Sequence, residues 1–118
     1  MIAVIFEVEL KEGMREAYLS VAASLISTLS EIEGFISVER FQSVTQPDKL
    51  VSLSFFLSED AVMQWRQSAD HRFAQQQGRR AIFSDYRLRV ANVSRDYGLT
   101  ERSEAPDDSA SFHEDPKT

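Results

Sequence analysis

Apolar and polar residues alternate at two different periods along this chain, and each change of period marks a new element. The stretch IAVIFEVEL, residues 2–10, alternates in steps of two, which predicts a strand. From Met14 to Ile32 the large apolar residues recur at steps of three and four, which predicts an amphipathic helix. Gly34 is placed to end this helix in the left-handed conformation.

The second half of the chain repeats this change of period. FISVERFQS and KLVSLSFFL flank VTQPDK, whose Pro and Asp favour a turn, so residues 35–57 are predicted to form an antiparallel hairpin. Ser58 is a candidate N-cap for a second helix that Gly78 can end. The apolar stripe of that helix is Ala61, Val62, Trp65, Ala69 and Phe73. IFSDYRLRVANV, residues 82–93, then predicts a last strand.

The resulting element order is β-α-β-β-α-β, which predicts an α+β, ferredoxin-like fold. Two right-handed crossovers then place both helices on one face of a four-stranded antiparallel sheet. The first and last strands are neighbours in this topology, so we expect Glu7 and Glu9 to lie across from Arg87 and Arg89.

Composition bounds the domain count and the class of partner. The chain has 118 residues, enough for one domain, which we place at residues 1–98. Residues 99–118 are acidic and poor in large apolar groups, which predicts an extended or disordered tail. The net charge is −6, which argues against nucleic acid as a partner. MIAVIF has no basic flank and is too short for a signal peptide or membrane span, and cysteine is absent, so we expect a cytoplasmic protein.

Two helices cover only one face of the sheet, and the other face is not plainly polar. We expect the helix side to take Val4, Phe6, Val8, Ile36, Val38, Val51, Leu53, Phe55, Leu88 and Val90. The opposite side then receives Ile5, Phe35, Phe41, Leu50, Phe56 and Phe83, mixed with Glu7, Glu9, Glu39, Ser52, Ser54, Asp85, Arg87 and Arg89. A face this aromatic predicts a homodimer that packs sheet against sheet as a dimeric α+β barrel.

Trp65 and His71 are the candidate site residues in the second helix. Trp65 lies on the apolar stripe and fits either the core or a site. A step of six residues places His71 on a different side of a straight helix, unless the helix breaks at Ser68 to Asp70, where Asp70 is a candidate cap. His71 then either acts as an acid or base near pH 7 or holds the turn by a hydrogen bond.

Metal and nucleotide chemistry have little support in the sequence. Only His71 and the tail residue His113 are available as imidazole ligands, and no His-x-x-x-His or Glu-x-x-His spacing occurs. No G-x-G-x-x-G, Walker-type loop or nucleophile elbow is present either. We therefore expect no metal and no nucleotide cofactor.

The chain resembles antibiotic biosynthesis monooxygenase (ABM) domains of the dimeric α+β barrel group. The resemblance is carried by VIFEVELKEGMREAYL, EGFISVERFQS, KLVSLSFF and WRQSADHRFAQQQGRRAIFSDYRLRVANVSRDYG, which together span nearly all of residues 1–98. The Trp, the His that follows it and the Gln-rich stretch with Gly are the most specific part. The resemblance implies a ferredoxin-like homodimer, with Trp65 as the family Trp.

Members of this family include cofactor-free monooxygenases of phenols and quinols, in which a buried cavity deprotonates the substrate so that its carbanion reduces O2. Others degrade haem, using an Asn on the first strand, a Trp and a proximal His. Phe6 falls where that Asn should be, and His71 lies closer to Trp65 than the proximal His does. The resemblance thus implies a cofactor-independent monooxygenase of a small aromatic substrate, and it matches His71 only to a His that is common in uncharacterised members. Our own hypothesis takes His71 as the candidate base of such an enzyme. The alternatives are haem binding or degradation and a non-catalytic dimeric ligand-binding module.

Overall fold

The computed structural model describes the backbone of residues 1–108 and their side chains, except those of Ala69, Asp70, Phe73 and Gly78. Two expected stripe positions, Ala69 and Phe73, therefore lie outside the described side chains. His113 lies outside the described residues altogether. Within residues 1–108, no helix is long and apolar enough to cross a lipid bilayer.

The elements follow the predicted order, with each predicted helix divided in two. They are β1 (Ile2–Leu10), α1 (Arg15–Ser24), α2 (Ile26–Glu31), β2 (Phe35–Gln42), β3 (Lys49–Phe56), α3 (Glu59–Gln67), α4 (Ala69–Gln77), a π-helical turn (Gly78–Ile82) and β4 (Phe83–Asn92). The four strands form one antiparallel sheet in the order β2-β3-β1-β4. This confirms the α+β, ferredoxin-like fold and the neighbouring first and last strands.

The expected charge pairs between β1 and β4 are confirmed in part. Glu7 lies opposite Arg87 in the ladder, and its carboxylate forms an ion pair with Arg89, one diagonal step away, at 3.2 Å. Glu9 instead lies opposite Asp85. Both acids point to the face of the sheet that the helices leave uncovered.

The side-chain phase expected for β3 is wrong. Val4 pairs with Ser54 and Phe6 with Ser52, and directly opposed residues of an antiparallel ladder share a face. Leu50, Ser52, Ser54 and Phe56 therefore face the helices, and Val51, Leu53 and Phe55 face away. β3 carries large apolar residues at both odd and even positions, so its sequence alone does not show which set faces the helices. The pairing with β1 determines this.

Irregular pairing accounts for three further corrections. The ladder between β2 and β3 shifts between Phe35 and Ser37, so Phe35 turns towards the helices and packs on Phe56, while Ile36 is 44% exposed. A second shift at the end of β1 turns Phe83 to the helix side, where its ring lies 5.6 Å from that of Phe6. Such bulges add a residue to one strand and reverse the expected alternation beyond it.

Both helix breaks have local causes. Leu25 separates α1 from α2, and its N–H bonds to the carbonyl of Ala22, which tightens the chain there. Ser68 separates α3 from α4 in an extended conformation (φ −64°, ψ 145°). The Ser58 N-cap is confirmed, since its hydroxyl accepts the N–H of Ala61 at 3.3 Å.

The core lies between the helices and the sheet in two clusters. One holds Val8, Leu10, Tyr18, Leu50 and Ile82, and the other holds Leu29, Phe56 and Ala61. Phe6 and Val21 border the first cluster, and Val4 and Trp65 border the second. These four side chains, from the borders of the two clusters, line a cavity between the helices and the sheet.

Candidate active site

The break between α3 and α4 brings Trp65 and His71 together. Ser68 caps α4, with its hydroxyl accepting the N–H of His71 at 3.1 Å, so the capping role expected of Asp70 belongs to Ser68. The change of direction places the ring centroids of Trp65 and His71 4.7 Å apart, edge to face. In a straight helix, a step of six residues would have placed the two side chains about 120° apart around the helix axis.

These two rings form part of the lining of a cavity between the helices and the sheet. Its volume is about 150 Å³. The described lining residues are Val4, Phe6, Tyr18, Val21, Ala22, Leu25, Arg40, Ser52, Ser54, Trp65, His71, Ala74, Gln75, Ile82, Phe83, Tyr86 and Leu88. Most of these are apolar, and a cavity of about this size lined by apolar side chains accommodates a benzene ring.

The cavity opens to solvent on one side. Gln75 on α4 and Tyr86 and Leu88 on β4 line it and are exposed, whereas Ala22 and Ser54 at its inner end are buried. At the mouth, the Arg79 guanidinium donates a hydrogen bond of 2.7 Å to the Tyr86 hydroxyl. A small ligand can therefore enter between α4 and β4.

His71 is neutral at physiological pH. Burial, and then the nearby positive charges of Arg66 and Arg72, lower the pKa of His71 from 6.5 to about 4. Its Nδ1 is buried, and no described group hydrogen-bonds to it. A buried polar atom without a partner is costly, so a bound ligand that engages Nδ1 gains from it.

The lowered pKa of His71 predicts a loss of stability in mild acid. The unfolded chain binds a proton near pH 6.5 and the folded chain only near pH 4, so stability falls as the pH drops through this window. NMR titration of the His71 ring should show it neutral at pH 5.5. The urea midpoint should fall less between pH 7 and pH 5 in His71→Gln than in the wild type. Titration of His71 near pH 6.5 in the folded protein would contradict the assignment.

Arg40 and Tyr18 form a second polar group in the cavity, which the sequence analysis missed. Burial raises the pKa of Tyr18, while the charge of Arg40 and a hydrogen bond from its guanidinium act in the opposite direction. Tyr18 therefore remains protonated near neutral pH. A basic residue in an alternating strand is ordinarily solvated, so Arg40 did not stand out in the sequence. Its pairing with Ser52 places it on the side of the sheet that faces the helices.

Haem does not fit this cavity. A macrocycle of four pyrrole rings is several times the size of benzene, and even drug-sized ligands occupy about 300–1,000 Å³. Phe6, at the position where the haem-degrading members have Asn, fills space against Phe83 and offers no hydrogen bond. Among the described side chains, no group of three or more His, Cys, Asp or Glu residues is arranged to hold a metal ion.

Comparison with known proteins identifies relatives at the level of sequence. A family model described as antibiotic biosynthesis monooxygenase matches residues 1–77. A jasmonate monooxygenase from Pyricularia oryzae is 40% identical over 94 residues, which cover 80% of this chain and 44% of that protein. An uncharacterized protein, YqjZ, from Bacillus subtilis is 33% identical over 94 residues, which cover 79% of each chain. The chain thus spans less than half of the first relative and most of the second.

Solved structures agree with the fold. Rv0793 from Mycobacterium tuberculosis superposes with a TM-score of 0.74 at 18% identity, covering 82% of this chain and 98% of that one. SO0527 from Shewanella oneidensis superposes with a TM-score of 0.71 at 20% identity, covering 76% of this chain and 87% of that one. At these identities the likeness establishes the architecture alone.

Proposed function

The chain belongs to the antibiotic biosynthesis monooxygenase family, and on that premise we propose that it oxidises a single-ring phenol or quinol with O2, without a cofactor, in the cavity beneath Trp65. The observation that carries the proposal is an apolar cavity of about 150 Å³ that contains a neutral, unpartnered imidazole. From the relative named jasmonate monooxygenase we carry over the reaction class and not the substrate.

The proposed reaction supplies its own electrons. Loss of the phenolic proton gives an anion with carbanion character on the ring, which reduces O2 and forms a carbon–oxygen bond to a hydroperoxide. Cleavage of the O–O bond with loss of water then leaves a quinone. The substrate loses two hydrogens and gains one oxygen atom, the second oxygen leaves as water, and no external reductant is needed. The protein contributes orientation and exclusion of bulk water.

We assign His71 the role of proton acceptor and Trp65 that of a wall that orients the substrate ring. A pKa of about 4 makes His71 a weak base in the empty cavity. A substrate anion beside His71 stabilises the protonated imidazole, so loss of the substrate proton and protonation of His71 favour each other. The edge-to-face contact between Trp65 and His71 orients the imidazole.

Oxygen uptake with single-ring quinols tests this assignment. We expect wild-type protein to consume O2 and His71→Ala to lose about 10²- to 10⁴-fold in kcat, the range for removal of a general base. Gln76→Ala, on the exposed side of the same helix, is the matched control and should retain full activity. Undiminished kcat in His71→Ala would contradict the role of His71. Binding without turnover in the wild type would point instead to a ligand-binding module.

We also propose that two copies pack through the uncovered faces of their sheets. That face presents Ile5, Leu53 and Phe55 in adjacent positions of β1 and β3, together with Phe41, which is 47% exposed. An apolar surface of this kind is rarely left open to water in a stable monomer. The ion pair of Glu7 with Arg89 satisfies charges that a partner sheet would bury. Since cysteine is absent, the composition is compatible with a reducing cytoplasm, where we propose the dimer acts.

A further inference from the structure

Arg40 provides the only formal charge among the described residues that line the cavity. It lies on β2 opposite Ser52, and this register directs it to the side of the sheet that faces the helices. Arg40 is half-buried, and even partial removal of a charge from water is unfavourable unless an opposite charge or hydrogen bonds replace the water. The position of Arg40 therefore needs an explanation.

The guanidinium is incompletely satisfied by the protein. Among the side chains that the structure describes, no carboxylate lies within 4.0 Å of it. Its Nε is buried and has no hydrogen-bond partner. Tyr18 is a neutral partner and leaves the charge uncompensated. At the cavity wall, the Arg40 guanidinium thus has an unpaired Nε donor and no described carboxylate that compensates its charge.

The surroundings of the cavity are cationic although the chain as a whole is acidic, with a net charge of −6. Arg66 and Arg72 lie close enough to His71 to affect its titration, and Arg79 lies at the mouth on Tyr86. Besides Arg40, the described titratable side chains that line the cavity are Tyr18, His71 and Tyr86, and none of them is a carboxylate. A cleft with one sign of charge and low-dielectric walls attracts the opposite sign.

We propose that Arg40 is an anion-binding residue, whose guanidinium pairs with an oxyanion, either a carboxylate or a phenolate oxygen, on an otherwise apolar single-ring ligand. This inference rests on the proposed function for the location of the substrate, and it adds the chemical class that the site selects. The Arg40 guanidinium donates to the oxyanion, and the Tyr18 hydroxyl, which accepts from the guanidinium, keeps its own proton to donate. The apolar lining contacts the ring.

The pairing explains how a weak base suffices in the proposed reaction. An opposite charge within a few ångströms lowers the pKa of an acid by about 1–3. Arg40 thus favours transfer of the phenolic proton from the substrate to His71. Arg40 stabilises the anion, and His71 accepts the proton.

Binding of small probe ligands to the full chain, without O2, tests the inference. Benzoate and its neutral isostere benzamide form one pair, measured by calorimetry. The phenol p-nitrophenol, which ionises near neutral pH with a change of colour, forms the second arm. Each is measured on the wild type, on Arg40→Lys, which keeps the charge, and on Arg40→Met, which keeps the length of the side chain. Thermal unfolding verifies that each variant is folded.

We expect the wild type and Arg40→Lys to prefer the anion by about tenfold or more, a difference of about 1.4 kcal/mol. Arg40→Met should lose that preference. Preference for benzoate over benzamide identifies a carboxylate ligand, and a lowered pKa of bound p-nitrophenol identifies a phenolate. If Arg40→Met does not fold, two wild-type measurements still test the inference: the affinity for benzoate relative to benzamide, and the pKa of bound p-nitrophenol.

Two outcomes would overturn the inference. Equal affinity of the wild type for benzoate and benzamide, together with an unshifted pKa of p-nitrophenol, would do so, and so would an anion preference that persists in Arg40→Met. Either result, combined with continued O2 uptake on quinols, leaves the proposed function intact. Failure of all three probes to bind also overturns the inference, while O2 uptake decides the proposed function separately.

Discussion

Replacement of Ala22 by leucine is expected to lower kcat/KM for oxygen uptake by about 100-fold or more. Ala22 is 5% exposed, lies on α1 and lines the inner end of the cavity. A leucine there projects into the space that the substrate ring needs, and misplacement of a reacting group by about 1 Å is enough for a loss of this size. Because the new side chain enters existing empty space, the fold should tolerate it better than ordinary overpacking of a core.

Ala23→Leu provides the matched control for this substitution. Ala23 follows directly on the same helix, is exposed and does not line the cavity. Both variants make the same chemical change at neighbouring helical positions, so helix propensity affects them alike. We expect Ala23→Leu to keep wild-type activity. If the two variants lose activity equally, or if neither loses any, the substrate binds elsewhere.

The second large effect is expected at Leu53, in the middle of the uncovered sheet face. Leu53 lies between Ile5 on β1 and Glu39 on β2. In the proposed dimer, Leu53→Asp places a buried carboxylate next to Glu39 and adds no positive charge to pair with it. Since an uncompensated buried charge costs several kcal/mol, we expect the dimer dissociation constant to rise by about 100-fold or more. Light scattering during size-exclusion chromatography over a dilution series measures this change.

Val44→Asp makes the same kind of change outside the proposed interface. Val44 lies in the loop between β2 and β3 and is 100% exposed. It should leave the dimer intact, so that any general effect of added negative charge is accounted for. A wild-type protein that is monomeric at micromolar concentration would contradict sheet-to-sheet pairing, whatever the variants do.

The periodicity of the sequence predicted the order of elements, the sheet topology and the Ser58 cap. These features depend on local patterns, in which apolar spacing and a capping hydroxyl act within a few residues. The sequence also indicated that Trp65 and His71 can meet only if the helix breaks between Ser68 and Asp70. The helix does break at Ser68, and the centroids of the two rings lie 4.7 Å apart. The capping residue was misassigned because Ser68 and Asp70 are both good N-caps and sequence alone did not separate them.

The lining of the cavity was less accessible to sequence reasoning. The phase of β3 and the inward position of Arg40 depend on the register between strands that are distant along the chain, and β3 is apolar at both phases. The bulge that turns Phe83 inward lies at a shift in pairing with no glycine to mark it. The sequence does contain one signal: Arg40 is two residues from Val38, and the alternation predicts Val38 on the helix side.

The central claim is that the cavity beneath Trp65 binds the substrate, and Trp65 itself reports on it. Trp65 is the only tryptophan of the chain and lines the cavity, so its fluorescence responds to an aromatic ligand bound there. In an anaerobic titration with a single-ring quinol, we predict saturable quenching in the wild type and Ala23→Leu, and none in Ala22→Leu. Saturable quenching of equal strength in Ala22→Leu, or no saturable quenching in the wild type, would contradict the claim.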